Sequence, residues 1–172
     1  LVALIQEPPR ENAKKMMSWW ELPQVFSHCA QDSTGLRWIM PAWCLLGTAT
    51  WLAVWFYPVY FQATGWNEKA QGGIFGFYAL VAGIASLSAR RMKIRSQIVY
   101  STFIILAMCT ISAHILFGLV TVWWGLLFGV LHQVCRGVVP VVFGNAVNDR
   151  TPSHMRATVL SIQGALMTTV YG

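Results

Sequence analysis

Charge is what this 172-residue sequence has least of. Charged residues make up 10% of the chain and hydrophobic residues 56%, where a soluble domain carries roughly 25% charged residues. A chain this poor in charge cannot cover a folded surface in water. Acids are scarcer still: Glu7, Glu11, Glu21, Asp32, Glu68 and Asp149 are all of them, and none falls inside a long apolar run. No carboxylate pair is therefore available within those runs for acid–base catalysis. Enzyme motifs are missing as well. There is no GxxxxGK[ST], no HExxH and no GxSxG, the signatures of phosphate-binding loops, zinc proteases and serine hydrolases. The four cysteines form no CxxC pair and none sits beside a histidine at zinc-finger spacing. Three of them lie in apolar runs, where a free thiol acts as a small hydrophobe. No metal, cofactor or disulfide framework is expected, and no enzymatic activity. A signal peptide is not expected either, because no basic segment leads into a short apolar stretch.

What is present is a series of long uncharged runs separated by short polar breaks. The formal charge of +6 does not point to nucleic acid, because the basic residues gather in the breaks, as in the cytoplasmic loops of membrane proteins. The predicted fold class is all-α, a multi-pass transmembrane helical bundle with four complete spans and a truncated fifth. Residues 1–5 read as the end of a preceding transmembrane helix, closed by Pro8 and Pro9. Residues 6–37 read as a central cytoplasmic loop, and Met16, Met17, Trp19, Trp20, Leu22, Val25 and Phe26 give it the pattern either of a surface helix or of a solvated linker. The spans are predicted over 38–62, 70–89, 96–114, 119–147 and 157–172. The last is short of the roughly 20 residues a bilayer requires, so the chain is expected to be a piece of a longer protein. In the second span Gly72, Gly76, Ala79, Gly83 and Ser86 recur at helical spacing, a stripe suited to close helix approach.

Loop charge sets the orientation. The Arg10 to Arg37 segment, the Arg90 to Arg95 loop and the Arg150 to Arg156 loop are basic, while the intervening turns are nearly neutral or carry no Lys or Arg. The positive-inside rule places the three basic loops in the cytoplasm. Trp38, Trp66, Trp123 and Trp124 fall near span ends, where aromatic belts form. The bilayer itself is thus an expected partner.

Arg136 is the residue this pattern must explain. It lies within the fourth span, where insertion of an arginine costs about 2.5–3.5 kcal/mol at the helix centre. His132 lies one turn earlier, Gly125, Gly129 and Pro140 share roughly the same stripe, and Gln133 and Gly137 sit on the next. Two readings stand. Arg136, His132 and Gln133 line a transport pathway, with Arg136 holding an anionic group; or Arg136 reaches helix-end carbonyls or headgroups and His132 satisfies itself against neighbouring helices. Trp51 and Trp55, one turn apart, and Tyr60 are further pathway candidates on the first span, able to stack on a substrate; the plain alternative is packing or lipid contact. The cluster Arg90, Arg91, Lys93 and Arg95 reads either as a topology anchor beside anionic lipid or as a gating latch.

The last loop carries a family pattern. Asn145, Asn148, Asp149, Arg150, Pro152 and then Arg156-Ala157-Thr158 with Ser161 and Gly164 resemble the loop between the tenth and eleventh helices of major facilitator superfamily transporters. Arg136-Gly137 with Pro140 is similar to their tenth helix. Trp55 with Tyr60-Phe61-Gln62, then Gly65 and Gly72-Gly73, is similar to the seventh helix and the start of the eighth. The acidic residue that the family carries before its eighth-to-ninth loop cluster is absent here. The resemblance covers nearly the whole chain and implies helices seven to ten with part of the eleventh. It further implies an N-terminal six-helix half as partner, alternating access to a central site for a small solute, often proton-coupled efflux of drugs or metabolites, and a bacterial inner membrane. The substrate does not follow from it. A non-transport membrane module, a sensor or an assembly scaffold, is the competing expectation.

Overall fold

The structure is a computed structural model that describes residues 20, 22–31, 33, 35–91, 96–120 and 122–171. The expected end of a preceding helix over residues 1–5, Met16, Met17 and Trp19 of the proposed surface helix, and Lys93 and Arg95 of the basic cluster lie outside the described residues.

The described chain is helical throughout its regular elements: α1 (Leu22–Ala30), α2 (Leu36–Ala63), α3 (Glu68–Arg90), α4 (Ser96–Leu119), a 3-10 turn (Trp123–Gly125), α5 (Leu126–Arg150) and α6 (Arg156–Tyr171). Four segments are long and apolar enough to cross a membrane: Leu36–Ala63, Glu68–Arg90, Val99–Leu119 and Trp123–Arg150. It is an all-α, multi-pass helical bundle.

Local chemistry sets most of the ends. Gly35 adopts a left-handed φ of 69° just before α2, a conformation a residue without Cβ enters at no steric cost. Pro41 and Pro58 lie inside α2; each removes one backbone donor, a loss that other packed groups can offset in a membrane helix. Gly65, at φ 79°, makes the turn after α2. The side chain of Asn67 then caps α3 by accepting from the Ala70 N–H at 2.9 Å, and Glu68 in the first turn complements the helix dipole.

The third turn falls later than expected. α4 does not reverse at 114 but runs through His114 to Leu119. Residues 111–119 contain no proline to stop it, and the chain turns only where Tyr60 of α2 binds the carbonyls of Val120 and Val122, at 2.6 and 2.9 Å. A neighbouring span thus braces the reversal.

α5 is the central element and packs against α2, α3 and α4, while α6 packs mainly against α2. Close approach is made from the α5 side. A Cβ on Gly125 would collide with the Tyr60 hydroxyl, one on Gly129 with the Tyr78 ring, and one on Gly137 with the backbone carbonyl of Ala82. Among the described residues the α3 glycine stripe meets no neighbour: a Cβ on Gly72, Gly76 or Gly83 would meet nothing within 4 Å. The core divides in two. Leu36, Ile39, Val99, Leu106, Val139 and Phe143 belong to the half nearer the basic loops. Tyr57, Tyr60, Phe61 and Tyr78 form the other.

Candidate functional site

A buried polar chain crosses the bundle where these two cores meet. It joins α2 to α5, and its direction can be read from donor and acceptor chemistry. Nη1 of Arg136 donates to Oε1 of Gln133 at 3.1 Å. Nε2 of Gln133 donates to the Tyr57 hydroxyl at 3.1 Å. With its oxygen occupied as acceptor, the Tyr57 O–H donates to Nδ1 of His132 at 2.9 Å. Nδ1 must then be the unprotonated nitrogen, and the neutral imidazole carries its proton on Nε2. That Nε2–H makes no hydrogen bond of ordinary geometry among the described residues, although the ring also interacts with the Ala49 carbonyl.

Helical spacing explains why these groups meet. His132, Gln133 and Arg136 lie within two turns of α5, so their side chains point to one sector. Gln133 and His132 are 1% and 2% exposed and Tyr57 is 1% exposed, which is the depth at which an unpaired polar group costs most. Tyr57 was the member that the sequence reading left out of the site. Its signal was only a tyrosine among apolar neighbours near the far end of the span, and seven other aromatic residues in that span made it inconspicuous.

Arg136 is half-buried. Its guanidinium lies 4.4 Å from the centre of the Trp51 ring, a cation–π contact worth about 0.5–2 kcal/mol. One of its five donors goes to Gln133, and it forms no ion pair among the described residues. Trp51 is 39% exposed and Trp55, one turn on, 69% exposed; the helix therefore carries an open aromatic face that begins at the arginine.

Tyr60 has a different place. Its hydroxyl is committed to the carbonyls of the turn before α5, and its ring stacks on Phe117 with centres 3.9 Å apart. It lines a cavity of about 300 Å3 between α2, α4 and α5, together with Tyr57, Phe117, Phe128, His114 and His132. His114, taken from sequence as part of a turn, instead stands inside α4, edge-on to His132 with ring centres 4.9 Å apart. Its Nδ1 donates to the Thr110 carbonyl at 2.8 Å, fixing the ring. The two histidines have no third ligand: no group of three or more His, Cys, Asp or Glu suited to a metal occurs among the described residues.

The loop motif forms a compact connection between α5 and α6. Thr151, 2% exposed, donates its hydroxyl to the Val147 carbonyl at 2.7 Å and ends α5. Arg156 reaches back to the Thr151 carbonyl through Nε at 2.9 Å, and the Pro152 carbonyl accepts from the Met155 N–H at 2.9 Å. The Asn148 carbonyl accepts from the Thr151 N–H at 3.4 Å, while Asn145 and Asp149 are exposed. Arg90 and Arg91 are exposed at the end of α3.

No curated protein and no solved structure matches the chain significantly. A family model does, over residues 3–171, and its description is the Major Facilitator Superfamily. With nearly the whole chain matched and three apolar spans packed around a fourth, α5, this integral membrane protein belongs to the major facilitator superfamily of membrane transporters.

Proposed function

We propose that this chain moves a small solute by alternating access, with the Arg136 face of α2 and α5 lining the solute pathway. The observation that supports this most directly is Arg136 itself, a half-buried mid-span cation with one hydrogen bond, no ion pair among the described residues and an exposed aromatic shelf beside it. A charge left in that state within a membrane faces a water-filled cavity or a partner beyond the described residues, and such residues mark solute pathways. Its free donors suit an anionic group on the solute, and Trp51 and Trp55 suit a planar or apolar body. Alternating access needs a second helical half to close over this face, so a six-helix partner half is part of the proposal. Proton-coupled efflux of a drug or metabolite across a bacterial inner membrane is the specific form proposed. No observation among the described residues favours a sensor or scaffold over this reading.

Accessibility tests it. Arg136→Cys in the full-length protein would be labelled with a membrane-impermeant methanethiosulfonate in right-side-out and inside-out vesicles. Labelling from both sides is the expected result, with Val139→Cys on the same helix, at a buried position, unlabelled as control. Labelling from one side only, or from neither, would refute alternating access at this face.

A further inference from the structure

A second cavity, of about 220 Å3, opens at the opposite end of the bundle, where α2 and α4 begin and α5 ends. Its walls are apolar, with Ile39, Phe103 and Phe143 among them. Trp38 and Tyr100 also line it and are largely exposed, edge-on to each other with ring centres 6.4 Å apart. One charged side chain completes the lining, Arg150.

Arg150 is held in place without being used up. Its carbonyl accepts from Nε2 of His28 on α1 at 3.2 Å. Its own Nη1 donates to the Ala146 carbonyl at 2.9 Å, which leaves four of the five guanidinium donors. It has no ion pair among the described residues. The side chain runs past Gly35, where Nε lies 3.7 Å from the position a Cβ would take. A positioned guanidinium with most of its donors unbonded among the described residues, at the head of an apolar slot, matches a phosphodiester followed by hydrocarbon.

Depth and charge identify the source. In this up-and-down bundle Arg37, Arg90, Arg91, Arg150 and Arg156 fall at the same end, and among the described residues Lys69 is the cation at the other. By the positive-inside rule this end faces the cytoplasm, whose leaflet is rich in anionic lipid. Trp38 and Tyr100 supply the aromatic pair that settles at headgroup level. A zwitterionic lipid would bring an ammonium group, and the cavity lining offers it no carboxylate.

We infer that this cavity binds one anionic phospholipid of the cytoplasmic leaflet, with the phosphate on Arg150 and the first part of an acyl chain along Phe103 and Phe143. The site is separate from the Arg136 face and does not depend on which solute is carried.

Native mass spectrometry of the full-length protein in neutral detergent tests it, with phosphatidylglycerol and phosphatidylcholine of identical acyl chains as probes. The wild type is expected to retain phosphatidylglycerol about fivefold more tightly, the effect of one interfacial arginine. Arg150→Gln is expected to bring the two lipids to parity, and Arg150→Lys to keep part of the preference. Phe103→Trp, which fills the slot without altering charge, is expected to weaken phosphatidylglycerol retention and carries the test should Arg150→Gln fail to fold. An unchanged preference in Arg150→Gln or unchanged retention in Phe103→Trp would overturn the proposal. Displacement of the lipid by glycerol phosphate at equal concentration would also overturn it, since the site would then be one for soluble phosphate.

Discussion

The Tyr57 hydroxyl lies 2.9 Å from Nδ1 of His132, joining two spans whose residues are 75 positions apart in the chain. This bond orients the histidine, fixes its tautomer and gives Gln133 its acceptor. The polar chain from Arg136 to His132 therefore depends on one hydroxyl.

Tyr57→Phe should leave both His132 Nδ1 and the Gln133 amide unpaired at full burial. The expected cost is about 1–3 kcal/mol for each group left unsatisfied, seen as a lower unfolding midpoint in detergent. Adding His132→Leu should recover part of the loss, since it removes one of the two orphaned groups and keeps the bond between Gln133 and Arg136. A double mutant no more stable than Tyr57→Phe would show that the hydroxyl does not support His132.

The glycines of α5 and α3 should respond oppositely to the same change. Gly137→Ala places a methyl against the Ala82 backbone carbonyl, which cannot swing away, and should cost about 1–3 kcal/mol. Gly76→Ala meets nothing within 4 Å and should be neutral or stabilising by up to about 1 kcal/mol from helix propensity. Thermal unfolding of the two variants decides the point. Equal effects would contradict the packing of α3 on α5.

Gln163 on α6 is 1% exposed, and neither end of its amide has a hydrogen-bond partner among the described residues. Gln163→Met conserves volume and removes the unsatisfied amide, so stability should rise by about 1–3 kcal/mol. A fall in the unfolding midpoint would mean that the amide is bonded in the membrane, to water or to another element.

Burial pushes the Cys29 thiol of α1 above its ordinary value. A raised pKa lowers the thiolate fraction at neutral pH, and the thiolate is the reactive form. Iodoacetamide modification of Cys29, mapped by mass spectrometry, should be slow at pH 7.5 and still be rising at about pH 10, where an unperturbed thiol approaches its plateau. A plateau reached by about pH 10 would show that α1 does not cover Cys29 as described.

Much of this was readable from residue order because a bilayer enforces simple rules. The uncharged runs had to be helices, since lipid offers backbone groups no partner, and the distribution of Lys and Arg set the direction expected of them. Arg136 and His132 stood out because polar residues inside such runs are costly. The end of α4 was not readable. The segment 114–122 contains no proline, and its turn is braced by Tyr60, which comes from another span. The glycine stripe on α3 shows a related limit: small residues permit close approach, but only a neighbour's position decides whether it occurs, and among the described residues α5 approaches through its own glycines.

The sequence by itself determined the solvent, the helical class, the number of crossing segments and the family pattern, because each follows from hydropathy, charge placement or a contiguous motif. Only the tertiary structure decided which polar groups share a site. Tyr57 with His132 and Gln133, Trp51 with Arg136, and His114 with His132 are each brought together by packing between spans far apart in the chain. Periodicity along one helix defines a face but carries no information about which neighbour that face will meet.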